Sequence, residues 1–165
     1  MPAGNSSTEA EPRLLASQGF CARVAPWVLR WALAVTFLSA VADRFGIWGP
    51  PGAPGVSWGD WSQFVTYTVK VNSFLPAILA PTLAVIATAA ELALGVALIL
   101  GVFRRPVAWA SVILLALFAG AMTVSFGIKA PLGYSVFGDL AAAFALGAWP
   151  ATRHLSQRGH EPPSA

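Results

Sequence analysis

The chain has 165 residues, 56% of them hydrophobic and only 10% charged, with a net charge of +3. Its mean hydropathy of +0.66 lies far from soluble proteins, in which about a quarter of residues are charged, so it reads as an integral membrane protein with one domain and no room for a separate soluble catalytic one. The single cysteine, Cys21, excludes an intramolecular disulfide or a cysteine-pair relay, and the two histidines, His154 and His160, fall in a polar tail where they cannot hold haem or a metal inside a span.

In chain order, residues 1–22 read as a disordered cytoplasmic tail. Glu9 and Glu11, with no basic start or apolar core, rule out a signal peptide. A first span is expected over about 26–47, with Trp27, Trp31 and Trp48 in the interfacial belts and Arg30 and Arg44 snorkelling to opposite sides. The GPPGAPG stretch from Gly49 to Gly55 is a rigid loop. After it, Trp58, Trp61, Phe64, Val65, Thr68 and Val71 recur near helical spacing, with Ser57 and Asp60 as an N-terminal cap pair. This predicts an amphipathic helix over about 57–73, lying on the outer interface with Trp61, Phe64 and Val65 toward lipid or bundle; the plainer alternative is a loop whose aromatics anchor at the headgroups.

The second span, about 77–101, lies in an apolar run from Phe74 to Gly101 whose single charge is Glu91. Gly101, Arg104, Arg105 and Pro106 make a tight turn into a third span over about 106–128. Pro131 marks the outer turn before a fourth, about 132–150, which carries Asp139, and residues 152–165 read as a second disordered cytoplasmic tail. The membrane domain therefore covers 23–151, an all-α four-helix bundle with an outer interfacial helix. Arg13, Arg23, Arg30, Arg104, Arg105, Arg153 and Arg158 fall on one side, against Arg44, Lys70 and Lys129 on the other, which puts both termini in the cytoplasm. No basic stripe with interleaved aromatics points to nucleic acid.

Glu91 is the leading candidate site residue. An acidic group at mid-span costs roughly 2.5–3.5 kcal/mol, so one that persists usually faces a bundle interior or a wet cavity. The bland reading is a protonated carboxyl bonded to a neighbouring helix. Depths counted from the expected helix ends put Arg44 roughly 4 Å, Asp139 roughly 11 Å and Glu91 roughly 20 Å below the outer boundary. On that count Arg44 pairs with Asp139, and Glu91 joins through a water or a ligand. Arg30 is the competing partner for Glu91, but it leans toward the cytoplasmic side, a geometry that favours snorkelling over pairing. Asp43 and Arg44 lie about 100° apart on the helix, so they cannot both face the bundle centre, and one of them faces the interface or the Trp-rich loop. Thr88, Gly95, Ala84 and Ala87 form a small-residue strip beside Glu91, and Ser135 is one turn from Asp139.

These residues resemble the DoxX family of small four-helix bacterial membrane proteins. The likeness rests on LRWALAVTFLSAVADRFG from Leu29 to Gly46, FLP at Phe74 to Pro76, AELALGVALILGVFRRP from Ala90 to Pro106, and a helix pair ending at Trp149 and Pro150. Arg44 stands where a lysine stands elsewhere in that family. The resemblance implies a bacterial inner-membrane bundle with cytoplasmic termini and an association with membrane redox chemistry. Three functions follow as expectations. In the first, an accessory subunit of a membrane oxidoreductase holds a quinone at Glu91, Arg44, Thr88 and Ser135, with Glu91 as the proton carrier, Arg44 polarising a quinone carbonyl, Asp139 as a further catalytic candidate, and no metal expected. The second is a noncatalytic scaffold in the bilayer, and the third a proton or small-solute pathway formed by a homodimer.

Overall fold

The computed structural model describes residues 7–150, with side chains from Phe20 onward. The expected tail at 152–165, with its histidines and arginines, lies outside the described residues. Helix α1 covers Ser7–Arg44. It therefore begins well before Pro26, through residues read from sequence as a tail. Ala10, Leu14, Leu15, Ala16 and Gln18 are good helix formers, and Pro26 is absorbed into the buried face instead of starting the helix.

The buried stripe of α1 is Arg30, Leu33, Ala34, Phe37, Val41 and Arg44. The helix stops three residues before the expected Ile47 because Gly46 takes a left-handed φ of 72°. That turn lets the Ile47 N–H reach the Ala42 carbonyl and the Gly46 N–H reach Asp43, each at 3.1 Å, the paired bonds of a Schellman stop. The following loop folds back on itself. A Cβ on Gly46 would lie 2.8 Å from the Gly59 carbonyl, and one on Gly59 would strike the backbone of Pro50 and Pro51. Two strands of loop thus cross at a distance that only glycine permits.

Helix α2, Trp61–Val71, is the expected amphipathic helix with a later start. Asp60 is its N-cap and accepts the Gln63 N–H at 2.8 Å. Ser57 does not share that role: its N–H goes to Asp43. The α2 carboxylate cap is held below the usual aspartate range by the Gln63 N–H first and the Ser62 hydroxyl second. Phe64 and Thr68 are buried against the bundle, while Trp61 and Val65 are partly covered. The helix lies over the ends of α3 and α4.

A short 3-10 turn, Ala77–Leu79, leads into α3, Ala80–Leu100. Its buried residues Ala80, Ala84, Thr88, Glu91, Gly95 and Leu98 recur at helical spacing and face α1. At Gly95 an added Cβ would come within 2.9 Å of Leu38, so the small-residue strip does set the α1–α3 approach. Gly101 closes α3 at φ 72°, and α4, Arg104–Phe126, follows with Pro106 in its first turn.

The fourth span differs from expectation. Instead of one helix over 132–150 there is a single turn, α5 at Lys129–Gly133, a break at Tyr134 and Ser135, then α6 at Val136–Ala148. Ser135 sits at φ 57°, and its carbonyl accepts the Gly138 and Asp139 N–H groups at 2.8 and 3.1 Å. Gly133 is a poor helix former, and it follows a proline that disfavours continuous helix. The 13 residues of α6 extend about 20 Å against a hydrocarbon core of about 30 Å.

Among the described residues the architecture is all-helical, with α1, α3, α4 and α6 packed in a ring in that order. Three helical stretches, Phe20–Arg44, Ala77–Leu100 and Arg104–Phe126, are long and apolar enough to cross a membrane. Leu33, Phe37, Leu98, Leu115, Met122 and Leu146 fill the centre. The bundle has two unlike ends. One carries the glycine-proline loop and α2; the other carries Arg30 and the turn with Arg104 and Arg105.

Candidate functional site

Arg44 is the hub of the loop end. It is the last residue of α1, its side chain leans back toward its own helix N-terminus, and it therefore points into the bundle toward α3. Nη1 donates to Thr88 Oγ1 at 2.7 Å. Nη2 donates to Glu91 Oε1 at 2.7 Å and lies equally close to Oε2. Thr88 Oγ1 in turn donates to the Ala84 carbonyl at 2.8 Å, which fixes its lone pairs toward the guanidinium. Both charged side chains are 3% exposed. One nitrogen meets both carboxylate oxygens, so this is not a fork-to-fork pair. Arg44 Nε and Glu91 Oε2 are left buried without an aligned hydrogen-bond partner.

Aromatic side chains seal the pair from the loop side. The Phe64 ring lies 3.8 Å from the guanidinium carbon, and Trp58 lies 5.3 Å from it. Both distances fall within the range of cation–π attraction. Trp58 meets Phe64 edge-on at 5.1 Å, and Trp61 stacks on Phe45 at 5.9 Å. The roof is itself pinned by Asp43, whose Oδ2 accepts the Ser57 and Trp58 N–H groups at 2.9 and 3.1 Å. Asp43 and Arg44 thus point to different places, as their helical offset requires. Asp43 holds the loop, and Arg44 holds α3.

Arg44, Glu91 and Thr88 come together, but Asp139 and Ser135 do not join them. Asp139 lies in the first turn of α6, half-buried, and its carboxyl makes no hydrogen bond or ion pair among the described residues. Depths counted from helix ends led to the wrong partner because α1 stops early and is roofed by α2. Arg44 therefore sits a layer deeper than a helix end at the membrane boundary, level with Thr88 and Glu91. The break at Ser135 also moves Asp139 to a helix start, where the N-terminal dipole favours a carboxylate. The exposed Ser135 side chain makes no cap, so its link to Asp139 is through the backbone alone.

Asp43 and Phe64 are site residues that the sequence reading did not assign. The signal for Asp43 was its place one residue before Arg44 and next to a loop rich in donors. Phe64 is expected on the apolar face of α2, toward lipid or bundle, and the sequence carries no sign that it covers the cation. Two shallow apolar grooves mark the surface, neither at the ion pair. One is lined by Val112, Phe137, Leu140 and Phe144, and the other by Trp27, Trp31 and Val35 on α1.

No curated protein and no solved structure matches the chain. A family model does match over residues 22–131, and it is that of the methylamine utilisation protein MauE. This corrects the resemblance to DoxX. The Leu29 to Gly46, Phe74 to Pro76 and Ala90 to Pro106 segments all fall within the MauE match. A charged helix end, a glutamate followed by a glycine one turn on, and a glycine before a basic turn serve any small bundle of this shape, so they do not tell the two families apart. With two thirds of its length covered by that match, the chain belongs to the MauE family.

Proposed function

We propose that this chain is a noncatalytic accessory protein of a methylamine-utilising oxidoreductase system, holding a rigid cap at one end of a membrane bundle against which a partner subunit rests. The family description supplies the process. Using methylamine as a nutrient requires oxidation at its carbon–nitrogen bond, which places an oxidoreductase in the system. The observation that carries the accessory role is the closed state of the Arg44–Glu91 pair. Each charge is spent on the other, Thr88 takes a further donor, and Phe64 covers the guanidinium, so the constellation fastens the cap to α1 and α3.

A second reading has one observation in its favour. Arg44 Nε and Glu91 Oε2 retain unused bonding capacity, which suits a quinone-interacting role in which Glu91 relays a proton. Growth on methylamine separates the two. In cells lacking the native gene, the double variant Arg44→Gln with Glu91→Gln keeps the shape of the lock and removes its charge. The accessory role requires that this variant, once present in the membrane at normal level, restore growth. Failure to restore it, together with loss of co-purifying quinone, favours the relay.

The orientation goes with this reading: the end with Arg30, Arg104 and Arg105 faces the cytoplasm of a bacterial inner membrane, and the capped end faces outward. Cys21 is exposed on α1 at the basic end. An impermeant maleimide should leave it unlabelled in intact cells and label it after permeabilisation; early labelling reverses the orientation.

A further inference from the structure

Arg30 shares the inward face of α1 with Arg44 but has no comparable partner. It is 8% exposed, and its Nε is buried without a hydrogen-bond partner. The contact that its cation makes is with the Trp27 ring, 4.1 Å from the guanidinium carbon. Nη1 lies against Gly101, the left-handed residue that ends α3, in the space a Cβ would fill. The carbonyl end of α3 offers a partial negative charge of about half a unit, which does not balance a guanidinium.

Of the four carboxylates with described side chains, Asp43, Asp60 and Asp139 belong to the opposite end of the bundle, and Glu91, midway along α3, is already taken by Arg44. Arg104 and Arg105 add two exposed cations just beyond Gly101. The missing partner is therefore an anion from outside the described chain. A groove of about 650 Å³ begins at Trp27, the same ring that stacks on Arg30, and continues along α1 past Trp31 to Val35 and Thr36. Its lining is apolar and turned toward lipid.

The geometry points to a binding site for an anionic phospholipid: its phosphodiester meets Arg30 beside Gly101, Arg104 and Arg105 attract the headgroup, and an acyl chain follows the α1 groove. A basic pocket between helices is a recognised setting for anionic headgroups. The added net charge of the headgroup distinguishes it from a zwitterionic lipid, whose ammonium would face three arginines. This inference does not depend on the accessory role.

The test uses the full chain in mild detergent, offered equal amounts of phosphatidylglycerol and phosphatidylcholine and read by native mass spectrometry. The expected preference for phosphatidylglycerol is about fivefold or more, falling to about one in Arg30→Gln and by about half in the Arg104→Gln, Arg105→Gln double variant. Trp27→Leu, which leaves every charge in place, should lower retention about threefold and covers the case in which Arg30→Gln does not fold. No preference in the unaltered chain, full preference in folded Arg30→Gln, or, where Arg30→Gln does not fold, undiminished phosphatidylglycerol retention in Trp27→Leu, overturns the site. Displacement of the lipid by millimolar inorganic phosphate would assign the arginines to free phosphate and overturn the lipid.

Discussion

Arg30 and Arg44 lie about four turns apart on one face of α1, and both are more than nine-tenths buried, yet they meet opposite circumstances. At the loop end the chain returns across the bundle as α2, so the guanidinium is sealed inside protein and is neutralised there by Glu91. At the basic end the Gly101–Phe103 turn is too short to cover anything, and Arg30 is left with a tryptophan face and a helix end for company. Burial of an arginine thus says little about its partner. What the next segment of chain does over it decides.

The largest expected effect breaks the sealed end. Arg44→Gln or Glu91→Gln alone leaves an unbalanced buried charge, which typically costs about 3–5 kcal/mol, whereas the two together should cost clearly less than their sum. A double-mutant cycle of unfolding in mild detergent measures this. Additive losses would mean that the two groups are stable without each other and that the contrast with Arg30 is only one of position.

A second effect concerns the loop that roofs the site. Gly59 and Gly52 have similar left-handed φ values, 73° and 85°, but a Cβ on Gly59 would strike the Pro50 and Pro51 backbone while one on Gly52 meets nothing within 4 Å. Gly52→Ala should cost about 1 kcal/mol, the penalty of the conformation alone. Gly59→Ala should cost about 2–3 kcal/mol and loosen the cover over Arg44. Equal losses in the same unfolding assay would show that the crossing is not a tight one.

Asp139→Asn gives a smaller expected change. With no side-chain partner, its carboxylate contributes mainly through the start of α6, so the loss should stay within about 0.3–1 kcal/mol. A loss like that of Glu91→Gln would place it in the buried network after all.

The apolar runs were enough to read an all-helical membrane bundle, and Gly101 and Pro106 marked the α3–α4 turn because their backbone preferences act locally. The break in the fourth span was harder, since Ser135 in a left-handed turn has no sequence mark of its own beyond nearby Gly133 and Pro131. The convergence of Arg44 with Glu91 and not Asp139 depended on how deep α1 ends, and that follows from α2 folding over it. Such a contact is tertiary. The residues that make it, Phe64 and Asp43, are separated from Glu91 by tens of positions. Helical periodicity cannot pair them.

The smallest effect tests the attachment of α2 by pH. Because the Gln63 N–H and the Ser62 hydroxyl both favour the ionised form of Asp60, its pKa in the folded chain is lowered. The folded state then binds fewer protons at this site than the unfolded state. Its stabilising share is complete above the ordinary aspartate value, about 3.9, and is lost as pH falls through the lower folded value. Asp60 is half-exposed and its cap bonds lie at the surface, so solvent screens the charge and the change should be local. Hydrogen exchange at the Gln63 amide reads it directly. Relative to Asp60→Asn, which still caps the helix and does not titrate, the unaltered chain should lose protection at this amide only on the acid side. Protection that falls in parallel in both chains would mean that acid acts elsewhere, and that the cap over Arg44 is held by Asp43 and Phe64 without help from the N-cap charge.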